Sequence, residues 1–260
     1  MLMTLSLPGA APLQRAIMYG RTHTGVSLQT LDELAFDRGL VLAQTPLPGI
    51  PVPGDCTAGQ LQQLLTPAAA QLLIEGLRAG VHVPPREDFG WKPTEDEAKS
   101  LKNAYKVGKN HRQIRWDRWP PSEFDRRQRA LGPLWSLAVH QSGVAKRLIF
   151  DDFDIVPIPE QLRISLSGSN CGVDDVCDAD RGSMIRPVTW LYRELAGRSS
   201  SSGSEAAWQL TVPYLTESGT GAVLLPTARG EGCLRVLSVK EEGCAVRQAS
   251  HVFGSFSHQR

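Results

Sequence analysis

Three carboxylates, Asp32, Glu33 and Asp37, fall in one short stretch that also holds Phe36 and ends at Gly39. A carboxylate on a loop between two strands suits proton transfer, because the loop exposes it while the strands hold it in place. The same carboxylates can instead satisfy the backbone N–H groups of the turn, and the residues alone leave both readings open. A second constellation is cationic. From Lys99 to Arg129 there are ten Lys and Arg against Asp117, Glu123 and Asp125, a net charge of +7. Trp116, Trp119 and Phe124 are interleaved with these cations. Cations neutralise phosphates and exposed aromatics stack on bases, so this composition points to an RNA partner. The plain alternative is a solvated segment whose aromatics belong to a core.

The elements that position these residues follow from apolar spacing. Pro12 suits the first turn of a helix, Leu13, Ala16 and Ile17 follow at helical spacing, and Gly20 ends it. Val26 and Leu28 alternate with polar residues as in a strand, and Leu40–Ala43 reads as the returning strand. The carboxylate loop, with Phe36 as its one apolar plug, lies between them. Thr57 to Arg78 predicts a helix pair, with Thr66-Pro67 opening the second helix and Gly80 closing it. Pro84, Pro85 and Pro93 bracket an extended linker. Ser122 caps a helix running to Leu131 and stopped by Gly132, with Arg126 and Arg129 on one face.

Beyond that helix the pattern changes to short apolar runs: 134–139, 146–150, 155–158, 162–166, 188–192, 208–212, 222–225 and 234–239. Short strands separated by turn signals predict a small antiparallel barrel or sandwich. Ser199–Ser204 is low-complexity and predicts a loop within it.

Composition excludes several classes. An apolar fraction of 41% and a charged fraction of 21% fit a globular chain of 260 residues. No apolar run approaches the ~18 residues of a membrane span. The five cysteines are odd in number and scattered, which favours buried thiols over a disulfide framework. Cys171 and Cys177, with Asp174, Asp175 and Asp178, fit no common zinc spacing, and no metal is expected. Asp151, Asp152 and Asp154 read as a solvated strand edge, and His23 as a surface histidine beside the carboxylate loop.

The order of the motifs resembles the methionyl-tRNA formyltransferases, in particular their fungal mitochondrial members. The resemblance is carried by Ser6-Leu-Pro8, Gly9-Ala-Ala-Pro12, Thr24-Gly-Val-Ser27 and Phe36-Asp-Arg-Gly39. It continues through Ala104-Tyr-Lys-Val-Gly-Lys109, Ile114-Arg-Trp116 and Arg129-Ala-Leu-Gly-Pro133, with a weaker trace in Gly232–Val239 and Gln248-Ala-Ser250.

The resemblance implies an α/β fold, part of a Rossmann-like formyltransferase catalytic domain followed by a small OB-like β-barrel. The domains would be 1–90, the end of the catalytic domain; 91–110, a linker; and 111–260, the tRNA-binding barrel. It implies transfer of a formyl group from 10-formyltetrahydrofolate to the amine of initiator methionyl-tRNA, by a monomer in the mitochondrial matrix and with no membrane partner. Asp37 would move protons. Asp32, Phe36 and Gly39 would border the folate pocket. Lys106, Lys109, Arg112, Arg126 and Arg129 would contact the tRNA backbone.

The departures matter as much. Where the family carries an Asn-x-His-x-Ser motif, this sequence has Met1-Leu-Met-Thr-Leu5. Of the family's three central catalytic residues only the Asp has a match. The expectation is therefore a truncated or degenerate form with little activity of its own, or an RNA-binding remnant. Without sheet partners, Val26, Leu28, Val41 and Leu42 would leave an apolar strand surface exposed. A nucleotide-sugar or glycinamide acceptor is disfavoured by the basic segment.

Overall fold

A computed structural model describes residues 2–3, 9–32, 39–91, 104–166, 185–193 and 207–256. The chain divides into two units. One comprises residues 1–111 with 126–131, the other residues 112–125 with 132–260.

In the first unit, α1 (Pro12–Met18) opens on its proline as expected, and Gly20 follows at φ 64°. The expected strand and its return are present as β2 (His23–Thr24), β3 (Ser27–Gln29) and β4 (Val41–Gln44). A three-stranded sheet has the order β1 (Leu2–Met3), β3, β4, and β2 pairs separately with β5 (Ile50–Pro51). Every ladder between the described strands is antiparallel.

The helix pair is a single helix, α2 (Ala58–Arg78), opened by a capping box in which Thr57 and Gln60 satisfy each other's backbone N–H groups. Pro67 lies inside it. Gln63 and Pro67 are both exposed, so the carbonyl that loses its helical donor is on the solvent side. Thr66 Oγ1 donates to Gln62 O (2.7 Å) instead of capping a second helix. The core gathers Ala16, Ile17 and Met18 from α1, Val26, Leu61 and Leu65, with Ala104, Ala130 and Leu131 from later in the chain.

The second unit is built on one nine-stranded antiparallel sheet. Its order is β14-β13-β7-β6-β9-β10-β11-β12-β8. The strands are β6 (Leu134–Val139), β7 (Ala145–Phe150), β8 (Asp154–Val156), β9 (Ile185–Arg193), β10 (Ala207–Thr216), β11 (Val223–Pro226), β12 (Cys233–Val236), β13 (Ser238–Glu241) and β14 (Val246–Gln248). The last expected strand breaks in two at exposed Leu237.

The expected strand at 162–166 is instead a helix, α4 (Glu160–Leu166), after α3 (Pro121–Leu131). Its alternating Leu162, Ile164 and Leu166 imitate a strand, but only Leu162 is buried; it packs on Leu215, Leu224 and Cys233. Glu160 pairs with Arg163 along the helix (3.7 Å).

The two end strands, β14 and β8, do not pair with each other among the described residues, so the ladder does not close into a barrel. The sheet is sealed another way. Gln248 Nε2 donates to Thr220 O (2.9 Å) and Ser250 N–H donates to Gly221 O (3.1 Å), tying the β14 end to the β10–β11 turn. Helix α5 (Ala249–Gly254) then sends Val252 and Phe253 into the core, and Phe256 follows just beyond it. That core is aromatic: Trp116 stacks on Trp190 at 4.9 Å, with Phe124, Phe150 and Phe253 edge-on or tilted around the pair. Ser199–Ser204 and the Cys171–Cys177 stretch lie outside the described residues.

Candidate functional site

The carboxylate loop is anchored at its base. Thr30 N–H donates to Leu40 O (2.9 Å), and Leu40 N–H donates to Thr30 Oγ1 (2.9 Å). Gly39 sits so close to this clasp that a Cβ there would lie 1.8 Å from Thr30 O, so only glycine fits. Asp32 is exposed at the other side of the loop base. Asp37 and Phe36 lie outside the described residues. Beside the clasp, a groove of about 360 Å³ is lined by Leu28, Thr30, Leu42, Leu73, Leu77 and Val81. Its floor depends on Gly76, whose added Cβ would meet Leu28 Cδ2 at 2.7 Å. His23 is exposed, with Nδ1 3.1 Å from Thr22 Oγ1.

The basic segment divides into cations committed inside the fold and cations presented outward. Arg115 makes a two-point pair with Asp117 (3.0 and 3.1 Å) and lies over the rings of Tyr192 and Trp208. Arg129 Nη1 donates to Cys56 O (3.1 Å), and Arg127 Nη1 donates to His111 O (2.7 Å). Arg126 is half-buried on α3. Lys106, Lys109 and Arg112 are exposed, the last two at the ends of a 3₁₀ turn, Lys109–Arg112. Lys106 lies in an irregular stretch before it, so no helical face joins Lys106 to Lys109; Lys102 lies outside the described residues.

The interleaved aromatics are not stacking platforms. Trp116, Trp119 and Phe124 are 3%, 7% and 0% exposed and belong to the second unit's core. Trp116 spends its indole N–H on Ser136 Oγ (3.2 Å). The plain reading of those rings is the correct one.

Sequence reasoning missed the pairing of Arg15 with His111. Arg15 Nη2 lies 2.9 Å from His111 Nε2, and Arg15 Nε donates to Tyr105 O (3.2 Å). The signal was there in outline: a cation in an apolar helix face is buried only when something accepts from it. Partial burial and the nearby Arg15 and Arg127 charges hold the His111 ring's pKa below its ordinary value.

Among the described residues no group of three or more His, Cys, Asp or Glu is placed to hold a metal. Asp154, one of the acidic trio near β8, instead pairs with Arg235 (3.6 Å). Cys56 and Cys233 are free and buried, and burial pushes the Cys233 thiol up to about 12. No described helix is long and apolar enough to cross a membrane.

No protein-family model matches the chain. Among curated proteins it is similar to a methionyl-tRNA formyltransferase of Xylella fastidiosa (strain M12), 34% identical over 176 residues, covering 65% of this chain and 52% of that protein. A shorter match, 37% identical over 133 residues, links it to the protein of the same name from strain 9a5c. It is also similar to the mitochondrial methionyl-tRNA formyltransferase of Saccharomyces cerevisiae, 28% identical over 220 residues, covering 72% of this chain and 52% of that one. The chain thus spans about half the length, or less, of the curated relatives it matches. Among solved structures, HypX from Aquifex aeolicus in complex with tetrahydrofolic acid aligns over 98% of this chain and 35% of its own. The TM-score is 0.48 and the identity 15%, too slight a likeness to bear on fold or function.

Proposed function

We propose that this chain acts in formyl transfer to initiator methionyl-tRNA, with 10-formyltetrahydrofolate as donor. The carrying observation is the 34% identity over 176 residues to a methionyl-tRNA formyltransferase. The ordered motifs around Thr24–Ser27, Phe36–Gly39 and Ala104–Lys109 support it. In this reading Asp37 accepts the proton that the methionyl amine loses as its nitrogen attacks the formyl carbon; the formyl C–N10 bond then breaks and tetrahydrofolate leaves with a proton on N10. Asp32, Phe36 and Gly39 border the folate, with the Thr30–Leu40 clasp fixing where the loop begins and ends. Lys106, Lys109 and Arg112 neutralise RNA phosphates. Arg126 and Arg129 support them from α3, Arg129 chiefly by tying α3 to Cys56. The protein works as a monomer in the mitochondrial matrix; the similarity to the yeast mitochondrial protein supports that compartment. The catalytic part is of the Rossmann-like type and the second unit is of the OB-like type, sealed by α5 instead of by strand pairing.

A second reading, RNA binding without turnover, is favoured by one observation: the net charge of +7 between Lys99 and Arg129. A titration with initiator methionyl-tRNA at two salt concentrations, beside a formylation assay with 10-formyltetrahydrofolate, separates the readings. Turnover supports the first. Salt-sensitive binding without turnover supports the second. Absence of binding overturns both.

A further inference from the structure

Residues 104–111 are strapped onto the first unit at four points. Ala11 N–H donates to Ala104 O (3.0 Å), and Arg15 Nε donates to Tyr105 O (3.2 Å). Arg15 Nη2 meets His111 Nε2 (2.9 Å), and Arg127 Nη1 donates to His111 O (2.7 Å). Arg15 is only 7% exposed. Its acceptors among the described residues are a carbonyl and an imidazole, where a buried guanidinium ordinarily takes a carboxylate.

The imidazole is contested. Gly108 N–H points at Nδ1 (2.9 Å) while the Arg15 guanidinium points at Nε2. A neutral ring can accept at one nitrogen and satisfies one of these donors; a protonated ring accepts at neither. Protonation also sets a new positive charge beside Arg15 from α1 and Arg127 from α3, with Lys109 and Arg112 flanking it in the 3₁₀ turn. The charged groups acting on the ring are both cationic.

We propose that His111 is a proton-sensitive latch: neutral, it holds the 104–111 strap, and Lys106 and Lys109 with it, against α1; protonated, it lets the strap go. The ring charges less readily than a free histidine, so the latch is closed at neutral pH and opens in mild acid. The strapped, neutral form is favoured above the ordinary histidine value of 6.5, and that support is lost as pH falls through the lower folded-state value. The consequence for RNA affinity rests on the reading that Lys106 and Lys109 contact phosphates; the latch itself does not.

Amide hydrogen exchange of the full chain without RNA, corrected for intrinsic rates, tests it. The expected result is that protection at the Gly108 and Ala11 amides falls by about tenfold between pH of about 7.5 and about 5. His111→Gln keeps an acceptor that does not titrate and should give a flat profile. His111→Glu, whose carboxylate can accept from both donors, should raise protection and also give a flat profile. Wild-type protection that does not move with pH, or a pH dependence that survives in His111→Gln, overturns the latch. A strap that opens with pH in a protein whose tRNA affinity is unchanged by Lys106→Ala and Lys109→Ala leaves the latch standing and removes the RNA reading.

Discussion

The two units bury their apolar residues in opposite styles. The second sends Trp116, Phe124, Phe150, Trp190, Phe253 and Phe256 into one core, all nearly or wholly buried. The first buries small and aliphatic residues around Ala16, Ile17 and Leu61, and leaves Leu31, Leu73 and Leu77 80%, 40% and 51% exposed beside its groove. Of the four strand residues expected to be bare, Val26 and Leu42 are each 5% exposed and Leu28 and Val41 are half-buried. The apolar surface has moved from the strands to the C-terminal half of α2 and the edge of the carboxylate loop. The contrast teaches that stability should be concentrated in the second unit and tolerance in the groove of the first.

The sharpest way to break that contrast is a matched pair of truncations. Phe253→Ala should cost about 3–5 kcal/mol, because a fully buried ring leaves a cavity. Leu77→Ala should stay within about 0.5 kcal/mol, as exposed sites do. Urea unfolding measures both, and comparable losses would end the comparison. Next in size is Gly221→Ala. Gly221 adopts φ 68° and a Cβ there would lie 2.0 Å from Gln248 Nε2, so the residue is strained and the Gln248 amide must leave Thr220 O. A loss of about 1–3 kcal/mol is expected, read by thermal unfolding.

The cations sharpen the comparison within the proposed RNA site. Lys109→Ala should lower the slope of log affinity against log salt by about 1. Arg129→Ala should instead loosen the first unit through the lost bond to Cys56 O. Salt-dependent titration beside thermal unfolding separates them, and an unchanged slope for Lys109→Ala would remove it from the interface. The smallest effect concerns Glu217, whose carboxyl is held below its ordinary value first by Arg235 and then by Thr220. A depressed carboxyl stabilises above its unfolded value of 4.5 and loses that contribution as pH falls through the folded one. The pair is partly exposed to solvent, which screens it, so Glu217→Gln should remove no more than about 1 kcal/mol of acid-dependent stability.

How much was legible depended on whether neighbours or distant partners decide the outcome. Pro12 and Gly20 bracket α1 through local backbone preferences, and β6 matches its expected bounds because a short apolar run between turn residues is a local signal. Pro67 misled, because a helix absorbs a proline when the freed carbonyl faces water. Leu162–Leu166 misled because period-two apolar spacing cannot show that only one of its three apolar residues finds a partner, a set supplied by Leu215, Leu224 and Cys233 from far along the chain. In the candidate site, the exposed lysines were legible from composition. The internal commitment of Arg127 and Arg129 was not, since each partner is set by the fold; Arg115 has its carboxylate two residues away but its rings, Tyr192 and Trp208, far along the chain. The Arg15–His111 pair spans 96 positions, beyond any local pattern.

The seal made by α5 has a consequence for biosynthesis. The strand pairs of the second unit can begin to form once β6 and β7 have left the ribosome. Their shared core stays open on one side until the chain has been translated through Phe256. A nascent chain therefore carries exposed tryptophan and phenylalanine for the whole time between those two events, and needs a chaperone during that interval more than at any later moment.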